Sequence, residues 1–169
     1  LKYGITLSAD ADNDATLNEN ITGSINEGDY LASDGTTFPW KYDATYHNDV
    51  TGIGRDDDSC LSQKQSKSEN SGSIVGIANG TFATTNEANT NSFSADNSFL
   101  VWGNDADDAD QANANSSDLP SGVTERMERI WHVEETGTVG STSVSFDLTG
   151  LGYSSDAADF RLITSTSAT

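Results

Sequence analysis

The chain has 169 residues and carries 8 Lys and Arg against 27 Asp and Glu, a formal net charge of −19. This charge argues against nucleic acid as a partner, because phosphate binding needs clustered Lys and Arg. No apolar run approaches the roughly 18 to 20 residues of a membrane span, so no membrane insertion is expected. The single cysteine, Cys60, excludes an internal disulfide framework.

The first nine residues alternate between apolar and polar side chains. Period-two alternation predicts a strand with one buried face over 1–9. The apolar parity of this strand consists of Leu1, Tyr3, Ile5 and Leu7, with Ala9 at its end. Residues 10–28 are polar and rich in Asp and Asn, which predicts a loop or linker before a domain over 29–169.

Further short strands, bounded by polar turn residues, are predicted within 29–169. They cover 29–35, 46–56, 73–78, 98–103, 123–135, 141–148 and 160–164, with 59–70 as a loop or weak strand. The strand at 98–103 is apolar on both parities, which indicates burial on both faces. This pattern predicts an all-β fold, an antiparallel β-sandwich of jelly-roll or immunoglobulin-like type with long acidic loops.

Two acidic loops are candidate calcium sites, because Ca²⁺ takes several hard oxygens from flexible loops. Their carboxylates recur at every second position, and the candidate ligands are Asp10, Asp12, Asp14, Asp105 and Asp107. The first loop is not an EF-hand, since Ala15 replaces the required Gly and Ile21 the required Glu. The alternative interpretation of both loops is a solvated acidic surface.

The three tryptophans are candidate sugar-stacking residues. Trp102 and Trp131 lie in the most apolar predicted strands, which favours the core for both. Trp40, with Tyr42 nearby, is the better candidate for an exposed glycan-binding pair. His47 and His132 occur without any catalytic motif, which favours packing roles. Arg55 precedes three Asp and is predicted to pair with a nearby carboxylate rather than belong to a metal site.

Several motifs together resemble an uncharacterised module of large secreted surface proteins of marine bacteria, notably Bacteroidetes. They lie at 30–36, 46–57, 63–68, 98–104, 119–123 and 129–137. In those proteins the module often follows a concanavalin-like lectin domain, and residues 2–7 match the usual junction. The resemblance implies secretion and a role at the cell surface, and it implies no known activity.

Two classes of function follow as hypotheses, and a hydrolase is disfavoured. The first is a non-enzymatic structural or adhesive module of an extracellular bacterial surface protein or fibre, whose partners are copies of itself or neighbouring modules. In one version, the strand over 1–9 is donated to a neighbouring subunit and builds a filament; the alternative is pairing within its own domain. The second class is a Ca²⁺-dependent glycan-binding module.

Overall fold

Short antiparallel strands make up most of the regular structure. The computed structural model describes residues 6–7, 20–22, 25–26, 28–154 and 156–166, and the side chains within the last two of these ranges. The strands there are β1 (Thr6–Leu7), β2 (Asn20–Thr22), β3 (Ile25–Asn26), β4 (Tyr30–Leu31), β5 (Asn48–Asp56), β6 (Leu61–Gln63), β7 (Gln65–Lys67), β8 (Val75–Asn79), β9 (Ser98–Asn104), β10 (Trp131–Thr136) and β11 (Thr142–Phe146).

Two antiparallel sheets form a sandwich. One has four strands in the order β10-β9-β5-β6, and the other has three in the order β11-β8-β7. The hydroxyl of Thr51 on β5 lies 2.8 Å from that of Ser66 on β7. The rings of Trp131 and Phe146, on β10 and β11, meet edge to face with centroids 5.7 Å apart. The predicted all-β antiparallel β-sandwich is therefore confirmed.

Most predicted strands are observed close to their expected positions. The strands β4, β5, β8, β9 and β11 overlap the predicted segments at 29–35, 46–56, 73–78, 98–103 and 141–148. The weak strand expected within 59–70 is present as two short strands, β6 and β7. The segment at 10–28, predicted as a loop or linker, contains the antiparallel pair of β2 and β3.

Two strand predictions are wrong, one of them only in part. The strand expected over 123–135 begins only at Trp131, as β10. The strand expected over 160–164 is not formed, and this segment instead follows a 3₁₀-helix over Ala157–Asp159. An apolar pattern yields a strand only where a neighbour pairs its backbone and covers one face. Among the described residues, no strand pairs with this segment, and 68% of the surface of Leu162 is exposed.

The chain divides into two compact units. The first comprises Leu1–Asp107 and Arg129–Asp147, and the second Asp108–Glu128 and Leu148–Thr169. In the second unit, Asp110 and Asp156 cap the 3₁₀-helices Gln111–Asn113 and Ala157–Asp159 through their carboxylates. Such caps explain why Asp is favoured in these loops. No helix in the described ranges is long and apolar enough to cross a membrane.

The strand β9 is buried on both faces, as its sequence predicts. Phe99 and Val101 project from one face into a cluster with Trp40, Ala32 and Leu61. Trp102 projects from the other face, beside Thr51, toward the three-stranded sheet. The four-stranded sheet therefore has apolar cover on both sides of its centre.

Glycines leave room for the Phe99 ring beside β5 and for the backbone at Tyr46 beside β9. A Cβ on Gly54 would lie 2.4 Å from Cδ1 of Phe99, and one on Gly103 would lie 2.1 Å from the carbonyl oxygen of Tyr46. Both distances are far shorter than van der Waals contact. Any larger residue at either position would force Phe99 or the backbone at Tyr46 to move.

We expect Gly54→Ala to lower the free energy of unfolding by roughly 1–3 kcal/mol, the usual cost of overpacking a core. Urea denaturation followed by tryptophan fluorescence measures this change. Gly72→Ala is the matched control, because nothing lies within 4 Å of a Cβ placed there. Equal stability of the two variants would contradict the close packing of β5 against Phe99.

Candidate functional site

The predicted glycan-binding pair is not an exposed platform. Trp40 is 1% exposed, and its ring packs edge to face on His132, with centroids 5.6 Å apart. The expectation of an exposed Trp40 is therefore wrong. The cause is a long-range pairing: Tyr30 bridges to Trp40, and its N–H donates to the Trp40 carbonyl at 2.9 Å. Tyr42 is half-buried beside the His47 ring, and its glycan-binding role stays a prediction.

The candidate calcium ligands are only partly described. Asp10, Asp12 and Asp14 lie outside the described residues. The carboxylate of Asp105 accepts hydrogen bonds from the backbone N–H of Ile130 and of Asp107, each at 3.2 Å. These bonds fix the start of β10 and engage the oxygens that a metal would need. Across 28–154 and 156–166, no three or more His, Cys, Asp or Glu side chains are grouped to hold a metal.

Of the proposed assembly strand, the structure describes only β1. Leu1, Tyr3 and Ile5 lie outside the described residues. In β1, Thr6 lies opposite Leu31 and Leu7 opposite Tyr30, so this part of the strand pairs with β4 of its own chain. Donation of the strand over 1–9 to another subunit stays a prediction.

Arg55 and Asp57 form the predicted structural ion pair. The guanidinium donates from Nε and Nη2 to the two carboxylate oxygens, at 2.8 and 2.6 Å. Its Nη1 donates to the carbonyl of Phe93 at 3.1 Å, which ties the turn after β5 to the segment before β9. The paired guanidinium holds the pKa of Asp57 below its usual range. Arg55 therefore pairs with a nearby carboxylate, as the sequence predicts, and it also fixes the turn after β5.

Asp56 is a fully buried carboxylate that anchors two loops. It accepts hydrogen bonds from the N–H of Ser33 at 2.9 Å, from the Ser33 hydroxyl at 2.5 Å and from the N–H of Ser59 at 3.2 Å. Burial alone would raise its pKa, but the bonds from Ser33 and Ser59 outweigh burial, and the pKa is lowered. A buried charge is tolerated here because donors surround it.

His132 lies between two aromatic rings at the rim of the core. Its ring is stacked on Tyr46 with centroids 5.6 Å apart, opposite the edge contact with Trp40. Its Nε2 lies 3.2 Å from Oε1 of Glu134, two residues along the same face of β10. His47 is exposed and lies just before β5 rather than within a strand. The packing role predicted for His132 agrees with these contacts.

The feature that the sequence did not identify is an open side of the sandwich. We call it the open edge, and define it as β10, the connection over 137–141, and β11. Both strands are the outermost described strands of their sheets. Val133 is 47% exposed, Val144 43% and Phe146 39%. These side chains belong to the inner faces of the two sheets, yet they contact solvent because no further strand among the described residues covers them.

The open edge carries no charge along β11 and the connection before it. Residues 137–146 contain no ionisable side chain, in a chain whose net charge is −19. By contrast, β10 carries Glu134 and Glu135, and the opposite edge strand β7 carries Lys67. Natural edge strands are usually protected by charges, prolines or bulges, and β11 has none of these.

The backbone of β11 alternates in the direction of its hydrogen-bonding groups. Gly80 donates its N–H to the carbonyl of Ser141, and Asp147 donates to the carbonyl of Ile74. In an antiparallel pair, hydrogen-bonded residues alternate with non-bonded ones, so Ser143 and Ser145 also bond β8. The N–H and C=O groups of Thr142, Val144 and Phe146 therefore point away from β8.

Comparison with known proteins places the chain in one domain family. The model of the family described as Domain of unknown function (DUF8202) matches residues 1–169, so the chain belongs to this family. Neither the curated proteins nor the solved structures gave a match.

We expect Asp56→Asn to lower the free energy of unfolding at neutral pH by about 1–3 kcal/mol, because three donors lose a charged acceptor. Asp58→Asn, at an exposed position of the same turn, is the matched control.

The same pair of variants tests the pH dependence. The folded pKa of Asp56 is depressed, so its stabilisation is present above the unfolded value near ~4 and is lost as pH falls through the folded value. In urea titrations, the wild type should therefore lose more stability in acid than Asp56→Asn does. Parallel pH profiles would contradict the assigned role.

Proposed function

We propose that this domain is a non-enzymatic structural module of an extracellular bacterial surface protein or fibre, which associates with copies of itself or with neighbouring modules. The observation that carries the proposal is the open edge. It combines solvent-exposed apolar side chains from two facing edge strands with a backbone whose hydrogen-bonding groups lack partners among the described residues. These are the properties of a surface to which another β-structure adds.

The exposed apolar side chains at the open edge are adjacent rather than scattered. Trp131 and Phe146 touch across the gap between the sheets, and Val133 and Val144 lie two residues from them on the same strands. Scattered apolar residues on a surface need no explanation, whereas a contiguous patch between polar rims marks an interaction site. Association would bury this patch and pair the strand edges in one step.

The acidic surface would regulate such association through ionic strength. Exposed carboxylates lie in the loops, for example at Asp57, Asp58, Asp107 and Asp108, whereas β11 carries none. Copies carrying −19 each repel one another at low salt, and the repulsion is screened beyond about 8 Å at physiological ionic strength. The module would then stay dispersed in dilute buffer and associate in salt.

The extracellular and adhesive parts of the proposal rest on the resemblance of the sequence motifs to modules of secreted surface proteins. A β-sandwich with an acidic surface suits such a setting, and the single cysteine means that its fold does not depend on an internal disulfide. Filament growth through a donated strand over 1–9 is one form that the assembly could take, with the Leu1, Tyr3, Ile5 and Leu7 side chains filling the acceptor.

We expect the 169-residue domain to self-associate in sedimentation velocity experiments as its concentration and the NaCl concentration rise. The physical reason is that salt screens the repulsion between acidic copies while leaving apolar burial intact. Negative-stain microscopy of the same samples separates discrete dimers from filaments.

Addition of EDTA to one sample series is the control for metal bridging by the acidic loops. A single monomeric species across all concentrations and salts would contradict the proposed function.

A further inference from the structure

We propose that the occupant of the open edge is β11 of a second copy, paired antiparallel about a two-fold axis through Val144. This inference rests on the proposed function and names the partner and the register of the contact. The two three-stranded sheets would then merge into one six-stranded sheet across two copies. The contact would be isologous, so the same residues of both copies would meet each other.

The backbone of β11 is complementary to itself in this register. Thr142, Val144 and Phe146 all direct N–H and C=O away from β8, as the bonds of Ser141 and Asp147 to the β8 side require. With Val144 opposite Val144 of the second copy, Thr142 lies opposite Phe146 in both directions. Each of these residue pairs is of the hydrogen-bonded type, so every outward-facing group of the three residues gains a partner.

The side chains suit the same register. Val144 and Phe146 lie on the inner face of their sheet, as shown by the contact of Phe146 with Trp131. In the paired arrangement, Val144 of each copy lies beside the other, and Phe146 covers the small side chain of Thr142. Cross-strand pairs of β-branched and aromatic residues are favourable in antiparallel sheets. The pairing therefore removes from water the two apolar side chains that β11 exposes.

Charge favours β11 over the edge strands β10 and β7. The outward-facing residues of β10 include Glu135. Just after β9, Asp105 donates its N–H to the carbonyl of Ile130, just before β10. Counting along β10 from this bonded pair, Glu135 directs its N–H and C=O away from β9. The edge strand β7 carries Lys67. Like charges directly opposite each other destabilise a strand pair. Self-pairing of β10 would bring the Glu135 side chains of two copies opposite or close to each other, and self-pairing of β7 would do the same for Lys67. Each copy has a net charge of −19, but residues 137–146 carry no charge. A contact through this stretch therefore avoids placing like charges of the two copies against each other.

The test compares two variants with the same change in charge. Val144→Lys places two ammonium groups directly opposite each other at the centre of the contact. Leu162→Lys removes an exposed apolar side chain in the second unit, where 68% of Leu162 is accessible. Both lower the magnitude of the net charge, so general electrostatics would strengthen association in both. We expect Val144→Lys to weaken association at least roughly tenfold in sedimentation equilibrium, while Leu162→Lys matches or exceeds the wild type.

A second variant tests the backbone without adding charge. Val144→Pro removes an N–H that points away from β8, so the bonds between β8 and β11 remain, and proline is tolerated on such edges. It should also abolish association. Circular dichroism and thermal unfolding establish that each variant is folded.

The outcomes separate the two proposals. Absence of self-association by the wild type overturns the proposed function. Association of the wild type, Val144→Lys and Val144→Pro with equal affinity overturns the β11 contact alone. Loss of association on deletion of residues 1–9, with Val144→Lys unaffected, assigns the contact to the donated strand and likewise overturns the β11 contact.

Discussion

Burial of β9 on both faces is the constraint on which the rest of the structure depends. Its apolar side chains must be covered on two sides, although the chain has only 34% hydrophobic residues. One face is covered by Trp40, Ala32 and Leu61, and the other faces the second sheet. The absence of side chains at Gly54 and Gly103 leaves room for the Phe99 ring and for the backbone at Tyr46. The polar anchor at Asp56 then holds the loop around Ser33 against the sheet.

The apolar cover around β9 does not extend to one side of the sandwich. The outermost described strands on this side, β10 and β11, receive least cover, and Val133, Val144 and Phe146 remain partly in water. An exposed apolar edge invites unwanted pairing, and charge is the usual protection. Glu134 and Glu135 supply charge on β10, whereas β11 has none. In the proposed assembly, electrostatic repulsion at long range and an uncharged edge at β11 would together make association depend on salt.

The sequence predicted those elements well whose structure depends mainly on their own residues. The apolar run of β9 and the alternation of β11 define strands by themselves, and the charge of Arg55 predicts its pairing with a neighbouring Asp. Long-range pairing decided the rest: Trp40 is buried because Tyr30 bridges to it, and residues 160–164 form no strand because no neighbour covers Leu162. The open edge was beyond prediction for the same reason. Alternation in β11 shows which face is apolar, but only the arrangement of both sheets shows that this face lacks a cover.

The central claim is that β11 is an open edge that pairs with β11 of a second copy. Residue-resolved hydrogen exchange, followed by NMR, tests it most directly, because it shows which amides of β11 are protected by hydrogen bonds. In dilute, low-salt solution the amides of Ser143 and Ser145 should be protected, and those of Val144 and Phe146 should exchange rapidly. When concentration and salt are raised, Val144 and Phe146 should become protected while the rest of the sandwich changes little. Protection of Val144 and Phe146 already in the dilute monomer, or rapid exchange in the associated state, would contradict an open edge that pairs with a second copy.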